Sequence, residues 1–143
     1  MISFQAKISK DTKDGGYNVV FPDLPGCITQ GETIDEALEY AKEALSLYLE
    51  EAVDPKWQVP MPKTRKGRSY HWVCPAYNVG AAILIRRTRM MKGFTQVQLA
   101  KSLGITKQQL QKLETPGKSN PTVKMLERIS EALGVDMRLD VAA

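Results

Sequence analysis

The sequence has few of the residues from which metal sites and nucleophilic sites are built. It contains a single histidine, His71, and only two cysteines, Cys27 and Cys74, which form no CxxC motif. Two distant thiols and one imidazole do not make a zinc or redox cluster, so we expect no metal site, no cofactor and two unreactive thiols. The sequence also shows no Ser-His-Asp or Cys-His arrangement of the kind that activates a catalytic nucleophile. We therefore expect no catalytic residues and a protein that is not an enzyme.

Long apolar runs are also absent. No run approaches the roughly 20 residues that a membrane span requires. The first five residues lack the basic segment followed by an apolar one that is typical of a secretory signal. We therefore expect a cytoplasmic protein that does not contact a membrane. With 43% hydrophobic and 25% charged residues the composition is globular, and 143 residues can hold one ordinary domain or two small ones.

Basic residues are scarce at the front of the chain and acidic residues are scarce at the rear. Residues 1–54 carry eleven acidic and four basic residues, a net charge of −7. Residues 55–143 carry sixteen basic and five acidic residues, a net charge of +11. The rear part therefore suits a phosphate-bearing partner, which the front part would repel. An acidic front surface is explained either by plain solubility or by a basic partner.

Four strands are predicted in the first 75 residues. Apolar and polar residues alternate over residues 2–8 and again over 17–21, with turn formers between them, which predicts a β-hairpin. The proline-rich segment 22–26 predicts a rigid turn, and residues 27–30 fit a third short strand. Residues 69–74 have the aromatic and β-branched composition of a fourth.

A helix is predicted between the third and fourth strands, beginning at a capping box formed by Thr33 and Glu36. Its predicted inner stripe consists of Ile34, Leu38, Ala41, Leu45 and Tyr48. Its predicted outer stripe consists of Glu36, Glu39, Glu43, Ser46 and Glu50. This predicted outer stripe is either a solvated helix face or a docking surface. We expect a first domain over residues 1–75, an antiparallel sheet packed by one helix in the order βββαβ.

Two short helices joined at Gly104 are predicted over residues 95–114, which is the pattern of a helix-turn-helix. Gly104 adopts positive φ at no steric cost, so it can end the first helix and turn the chain. Thr106 is a favourable N-cap for the second helix. The inner stripes of the two helices consist of Leu99, Ala100, Leu103, Leu110 and Leu113.

The second of these helices has a polar face without carboxylates. Projection at 3.6 residues per turn places Lys107, Gln108, Gln111 and Lys112 together on this face. Glutamine can bind the N6 and N7 edge of adenine and lysine can reach guanine or a phosphate, so the face suits a major groove. A helical hairpin with a merely solvated face is the alternative. The predicted DNA-binding residues are Gln96, Thr106, Lys107, Gln108, Gln109, Gln111 and Lys112.

Further helices are predicted on both sides of this motif. One covers residues 79–92, and the other ends at Gly134. Apolar residues alternate over 137–140, which predicts a short tail strand. A small core with an exposed edge favours a symmetric partner, as a homodimer or a tetramer, and we expect a second domain over residues 76–143. The helix over residues 79–92 is predicted to bury Ala82, Ile83 and Met90 and to display Arg86, Arg87, Arg89 and Lys92.

The motifs resemble two known families. Residues 79–134 resemble the repressor-type helix-turn-helix domains of phage repressors and bacterial regulators, through Thr95-Gln96, Leu99-Ala100, Leu103-Gly104 and Leu113-Glu114. Residues 15–51 resemble the HicB antitoxin family, through Gly16-Tyr17, Val19, the run from Phe21 to Cys27, Thr29, Gly31, Thr33 and Glu36-Ala37. A HicB-like front followed by a repressor-like domain is one of the arrangements found in that family.

The resemblance implies an antitoxin that also represses its own operon. It implies a partial ribonuclease-H-like fold in front, operator DNA as the partner of the rear domain, and a HicA-type toxin as the partner of the front domain. HicA proteins are small basic ribonucleases that cleave messenger RNA with a histidine. The candidate toxin-binding residues are Phe21, Asp23, Leu24, Glu36, Glu39 and Glu43.

Two other functions are weighed against this one. A ribonuclease-H fold can itself cut RNA with metal ions held by converging carboxylates. Here Asp11 and Asp14 lie in a predicted turn and Asp23 in a proline-flanked corner, so we expect no such site. The remaining alternative is a stand-alone transcription regulator whose front domain binds a metabolite or oligomerises.

Overall fold

The computed structural model describes residues 2–51 and 58–141. The chain divides into two compact units, residues 2–76 and the residues from Tyr77 onward, and each is described by itself. The first unit is a sheet covered by one helix, and the second is helical. The predicted α+β class, the βββαβ order and the helix-turn-helix are therefore confirmed. None of the described helices is long and apolar enough to cross a membrane.

The sheet of the first unit has four antiparallel strands in the order β3-β2-β1-β4. The strands are β1 (Phe4–Lys10), β2 (Tyr17–Val20), β3 (Ile28–Gly31) and β4 (Tyr70–Val73). Phe4 lies opposite Val73, and Ile8 lies opposite Val19. Because side chains alternate between the faces of a strand, these four residues share one face, where all of them are buried.

Helix α1 (Ile34–Glu51) packs on that face, and it begins as predicted. Its predicted stripes are wrong in part, because Ile34 is exposed and Ser46 is buried. The buried stripe is instead Ala37, Ala41, Leu45 and Leu49. Ser46 lies inside, where its Oγ accepts from the backbone N–H of Ala76 at 2.9 Å and donates to the carbonyl of Lys42. The helix comes closest to the sheet at Ala37, since a Cβ on Gly31 would lie 2.5 Å from the backbone nitrogen of Ala37.

In its described residues, 77–141, the second unit contains four helices, α2 (Tyr77–Met91), α3 (Gln96–Leu103), α4 (Lys107–Leu113) and α5 (Val123–Leu133). Its core confirms the predicted inner stripes of the helix-turn-helix, with Leu113 at the edge and partly buried. The fully enclosed part of this core consists of Ile85, Leu99, Ala100, Leu103, Leu110, Ile129 and Leu133.

Three predictions for the second unit are wrong. Arg89 was expected to be displayed and Met90 to be buried, whereas Arg89 is 9% exposed and Met90 is 42% exposed. Arg89 faces Glu114, which follows α4, and the ion pair between them holds the arginine inside. The predicted tail strand is also absent from the described residues, since residues 135–141 have no regular secondary structure.

Candidate functional site

The helix-turn-helix is held by its backbone turn and by a cap at the start of each helix. Gly104 adopts the left-handed conformation at φ 67° and ψ 28°, as the sequence predicts. Thr95 and Gln98 form a capping box on α3, and Thr106 and Gln109 form one on α4. A helix of seven residues is not stable in isolation, so α4 depends on this support to present its surface.

Thr106 and Gln109, both predicted to bind DNA, are engaged in the cap of α4. Oε1 of Gln109 accepts from the backbone N–H of Thr106 at 2.8 Å. Oγ1 of Thr106 accepts from the backbone N–H of Gln109 at 3.1 Å. These hydrogen bonds satisfy amides that the first turn of a helix leaves without partners. Both side chains therefore have a structural role in this geometry.

The remaining predicted residues on α4 form one exposed polar face. Lys107, Gln108, Gln111 and Lys112 are all exposed, and their spacing places them on the same side of the helix. Nε2 of Gln111 lies 3.5 Å from Oε1 of Gln96 at the start of α3, so the first helix contributes to the same face. Amide and ammonium groups are the chemistry that reads bases and phosphates in a major groove.

A buried ion pair fixes the end of α4 against α2. Nε of Arg89 donates to Oε2 of Glu114 at 2.8 Å, and Nη2 donates to Oε1 at 2.9 Å. Nη1 of Arg89 also donates to the carbonyl of Phe94, at 2.7 Å, in the turn before α3. Both carboxylate oxygens and three guanidinium nitrogens are thus satisfied, which a buried charge pair requires. Sequence reasoning missed this pair, although Glu114 belonged to the motif that carried the family resemblance.

Other cations surround the helix-turn-helix. Arg128 on α5 donates to the carbonyl of Leu103 and thereby caps the end of α3, a contact that the sequence did not indicate. Lys92 and Lys101 line a shallow depression between α2 and α3, where a phosphate could be held. Arg87 on α2 is partly buried, and this burial lowers the pKa of its guanidinium.

The front unit presents an acidic surface on the outer side of α1. Glu36, Tyr40, Glu43 and Leu47 follow each other at helical spacing, and Glu39 lies beside them. We call these five residues the acidic stripe. The hydrogen bond to Glu36, together with the nearby carboxylates, raises the pKa of the Tyr40 phenol. Leu47 is 62% exposed, so the stripe combines negative charge with apolar contact area.

Three of the residues predicted to bind a toxin have structural roles in the front unit. Phe21 and Leu24 are buried in the core of the front unit. Asp23 accepts from Nη2 of Arg65 at 2.8 Å and from the backbone N–H of Lys63 at 2.9 Å. The Arg65 guanidinium lowers the pKa of the Asp23 carboxyl. These contacts hold the segment before β4 against the turn that contains Asp23. The predicted residues whose side chains reach the surface are Glu36, Glu39 and Glu43.

The described part of the chain offers little for metal or thiol chemistry. No three His, Cys, Asp or Glu side chains of residues 2–51 and 58–141 converge as metal ligands. Burial raises the pKa of the Cys27 thiol to about 11, so it is unreactive at neutral pH. Both cysteines are free thiols, and Cys74 is exposed.

Comparison with known proteins agrees with this arrangement. Residues 4–88 match the family described as HicB-like antitoxin of bacterial toxin-antitoxin systems. Residues 85–139 match a helix-turn-helix family. Antitoxin HicB 1 of Photorhabdus laumondii is 30% identical over 90% of this chain and 81% of its own length. Antitoxin HicB of Escherichia coli K12 is 32% identical over 70% of this chain and 72% of its own length.

A further relative matches about a third of the chain. A UPF0150 protein of Archaeoglobus fulgidus is 51% identical over 34% of this chain and 70% of its own length. The relatives with a stated function are thus antitoxins, and their similarity extends through both units. The chain belongs to the HicB-like antitoxin family, with a helix-turn-helix DNA-binding domain at its C-terminal side.

Proposed function

We propose that this protein neutralises a HicA-type toxin through its front unit and represses its own operon through its rear unit. The observation that carries the proposal is the pairing of an acidic surface on one unit with a carboxylate-free recognition face on the other. Each surface has the charge of the partner that the family resemblance implies. Phosphates and a basic ribonuclease therefore have separate places to bind.

The acidic stripe is the proposed toxin-binding surface. Opposite charges across an interface speed encounter and exclude partners of the wrong sign. Charge alone gives little affinity at an exposed surface, so the apolar side chains within the stripe also matter. Tyr40 and Leu47 lie between and beside the glutamates, and they supply area that can be buried against a partner.

The uncovered face of the sheet is the competing surface. Val20, Lys7 and Tyr70 share a row across the strands there with Ile28, which is 64% exposed. Trp72 is exposed in the neighbouring row. This face mixes apolar and polar side chains and carries a lysine, so its charge does not match a basic ribonuclease. Charge complementarity favours the acidic stripe over it.

The DNA-binding part of the proposal follows from α4. Gln108 and Gln111 would contact base edges, and Lys107 and Lys112 would contact a base or the phosphates. A pair of subunits would place two copies of α4 in successive major grooves. The two half-sites of the operator are then expected to lie about 34–36 Å apart, or a multiple of this distance.

A pull-down tests the toxin-binding proposal. The tagged chain is co-expressed with a small basic protein encoded beside its gene, and we expect the two to co-purify. Glu43→Lys should reduce the yield at least tenfold, whereas Asp14→Lys makes the same charge change at an exposed site outside the stripe and should leave it unchanged. If Ile28→Asp abolishes capture and Glu43→Lys does not, the sheet face is the interface. If no such partner exists, the stand-alone regulator is favoured.

A gel shift on the DNA upstream of the gene tests repression. The wild-type chain should shift this DNA in preference to a scrambled duplex of the same length. Gln108→Ala should lower that preference by about 5- to 150-fold, because one bidentate base contact contributes about 1–3 kcal/mol of discrimination. Toxin capture should be retained. Equal loss of both activities would contradict the separation of the two surfaces.

A further inference from the structure

The segment after α5 has the features of a strand without a partner. Val135 and Met137 pack against the core of the rear unit, while Asp136 and Arg138 are exposed. Nε of Arg138 lies 3.7 Å from Oδ2 of Asp136, so side chains two residues apart lie on the same side. This period of two is that of an extended chain. Within residues 136–141 the structure gives no backbone hydrogen bond to any other described segment.

The outer part of this segment exposes apolar side chains. Leu139 is 71% exposed and Val141 is 96% exposed, and both belong to the same alternate set as Met137. Beside them lies a groove lined mainly by apolar atoms. Its lining includes Ala81, Leu84, Val123, Leu126, Val135 and Leu139. An extended segment with free backbone groups and an exposed apolar edge is a template for pairing with another chain.

Charge selects both the partner and the register. If the tail pairs antiparallel with the same tail of a second copy about a two-fold axis at Leu139, Arg138 faces the partner's Asp140 on one side of the ribbon. On the other side Met137 faces the partner's Val141 and the two Leu139 residues face each other. Moving the axis to Arg138 would oppose arginine with arginine and Asp136 with Asp140. Like charges opposite each other destabilise paired strands, so one register is favoured.

We propose that residues 137–141 form an antiparallel two-stranded ribbon with the same residues of a second copy, and that this ribbon joins two rear units. On the apolar side of the ribbon, Met137 packs on the core of its own rear unit. The partner's Val141 faces Met137 across the ribbon and is therefore brought toward the groove. The interface is isologous, as a two-fold dimer requires. No residue of α3 or α4 lines the groove, so the ribbon leaves the DNA-binding face uncovered. The ribbon itself does not depend on the proposed function. Only its consequence, the pairing of two recognition helices, rests on that function.

Charge reversal at the two ion-pair positions tests the register. Arg138→Asp and Asp140→Arg each place like charges opposite each other twice in the dimer, so either variant alone should associate with itself at least tenfold more weakly than the wild type. An equimolar mixture of the two restores every opposite-charge pair and should associate as well as the wild type. Sedimentation of the full-length chain gives the mass, and capture of one variant by the tagged other detects the mixed species. Both positions are exposed, so folding should be retained.

Controls and a trap complete the test. Arg68→Asp makes the same charge change at an exposed site of the front unit and should leave the mass unchanged. In a Cys74→Ser background, Leu139→Cys should form a disulfide-linked dimer on oxidation, because residues facing each other across the axis have Cα atoms about 4.5–5.5 Å apart. Wild-type mass for both charge variants, or a mixture no stronger than either, would overturn the ribbon. These measurements contain neither DNA nor toxin, so they fail independently of the proposed function.

Discussion

The two units support their functional surfaces in different ways. The acidic stripe lies on the outer side of an 18-residue helix whose other side is packed on a sheet. The proposed DNA-binding face lies on a 7-residue helix that is held by a capping box, a buried ion pair and a small core. The first surface should therefore tolerate the loss of one contact, whereas the second should depend on each of its supports. This difference predicts which substitutions far from a partner will affect binding.

The largest effect is expected at the buried ion pair. Glu114→Gln leaves the Arg89 guanidinium inside the rear unit without a counter-charge, and should lower the free energy of unfolding by about 3 kcal/mol. Urea denaturation measures the loss, and the gel shift should weaken with it. The double variant Arg89→Met/Glu114→Leu removes both charges and should recover part of the stability. A double variant less stable than Glu114→Gln would mean that the pair contributes more than mutual neutralisation.

A smaller effect is expected at the ion pair of the front unit. Because the pKa of Asp23 is lowered in the folded state, its ionisation stabilises the fold above its unfolded pKa of about 3.9, and this stabilisation is lost as the pH falls through the folded pKa. Asp23→Asn should cost about 1.5 kcal/mol at pH 7, since Arg65 is partly exposed. The difference from wild type, measured by urea denaturation, should shrink toward pH 2. A difference that does not change with pH would exclude this linkage.

A matched pair of cap substitutions compares the two helices directly. Thr106→Ala and Thr33→Ala each remove one side-chain cap, and each should cost about 1 kcal/mol of stability. In the first variant, fraying of α4 should reduce DNA affinity, because α4 is short and its proposed DNA-binding face begins directly after the cap. The second variant should bind its protein partner as well as wild type does. Calorimetric titration with each partner measures both, and equal losses would remove the distinction between the helices.

The smallest effect is expected at a single phosphate contact. If Lys112 contacts a phosphate, Lys112→Ala should weaken binding to all sequences alike and reduce the slope of log affinity against log salt by about 0.9. Gel shifts from 50 to 200 mM salt provide the slope. Glu127→Ala offers a control on α5, where no DNA contact is proposed. An unchanged slope would show that Lys112 faces away from the backbone of the DNA.

The sequence predicted what repeats and missed what depends on one distant contact. Alternation predicted the strands, and the signals at Gly104 and Thr106 predicted the turn of the helix-turn-helix and the start of its second helix. Helical periodicity placed Arg89 outside and Met90 inside, because no local pattern reveals that Glu114 lies 25 residues away and next to Arg89. The burial of Ser46 was missed for a similar reason, since its hydrogen bond with the backbone N–H of Ala76 joins residues 30 positions apart.

The candidate site was predicted by chemistry more than by geometry. The acidic and glutamine-lysine surfaces follow from residue types at helical spacing, and their members are exposed apart from Glu36, which is partly buried. The motif from Phe21 to Cys27 drew attention as a binding segment, although its side chains mainly build the turn. Leu24 is buried, and Asp23 holds Arg65 and Lys63. A motif that identifies a family therefore need not be explained by binding alone, because its residues can also build a structural element.

The most direct test of two separate charge-matched surfaces is a sequential binding measurement on immobilised operator DNA. We predict that the wild-type chain binds the DNA and then captures the toxin. Glu43→Lys should bind DNA normally and capture at least tenfold less toxin. Gln108→Ala/Lys112→Ala should lose the DNA while still binding toxin in solution. A variant of either surface that loses both partners to the same extent, with its fold intact, would contradict the account.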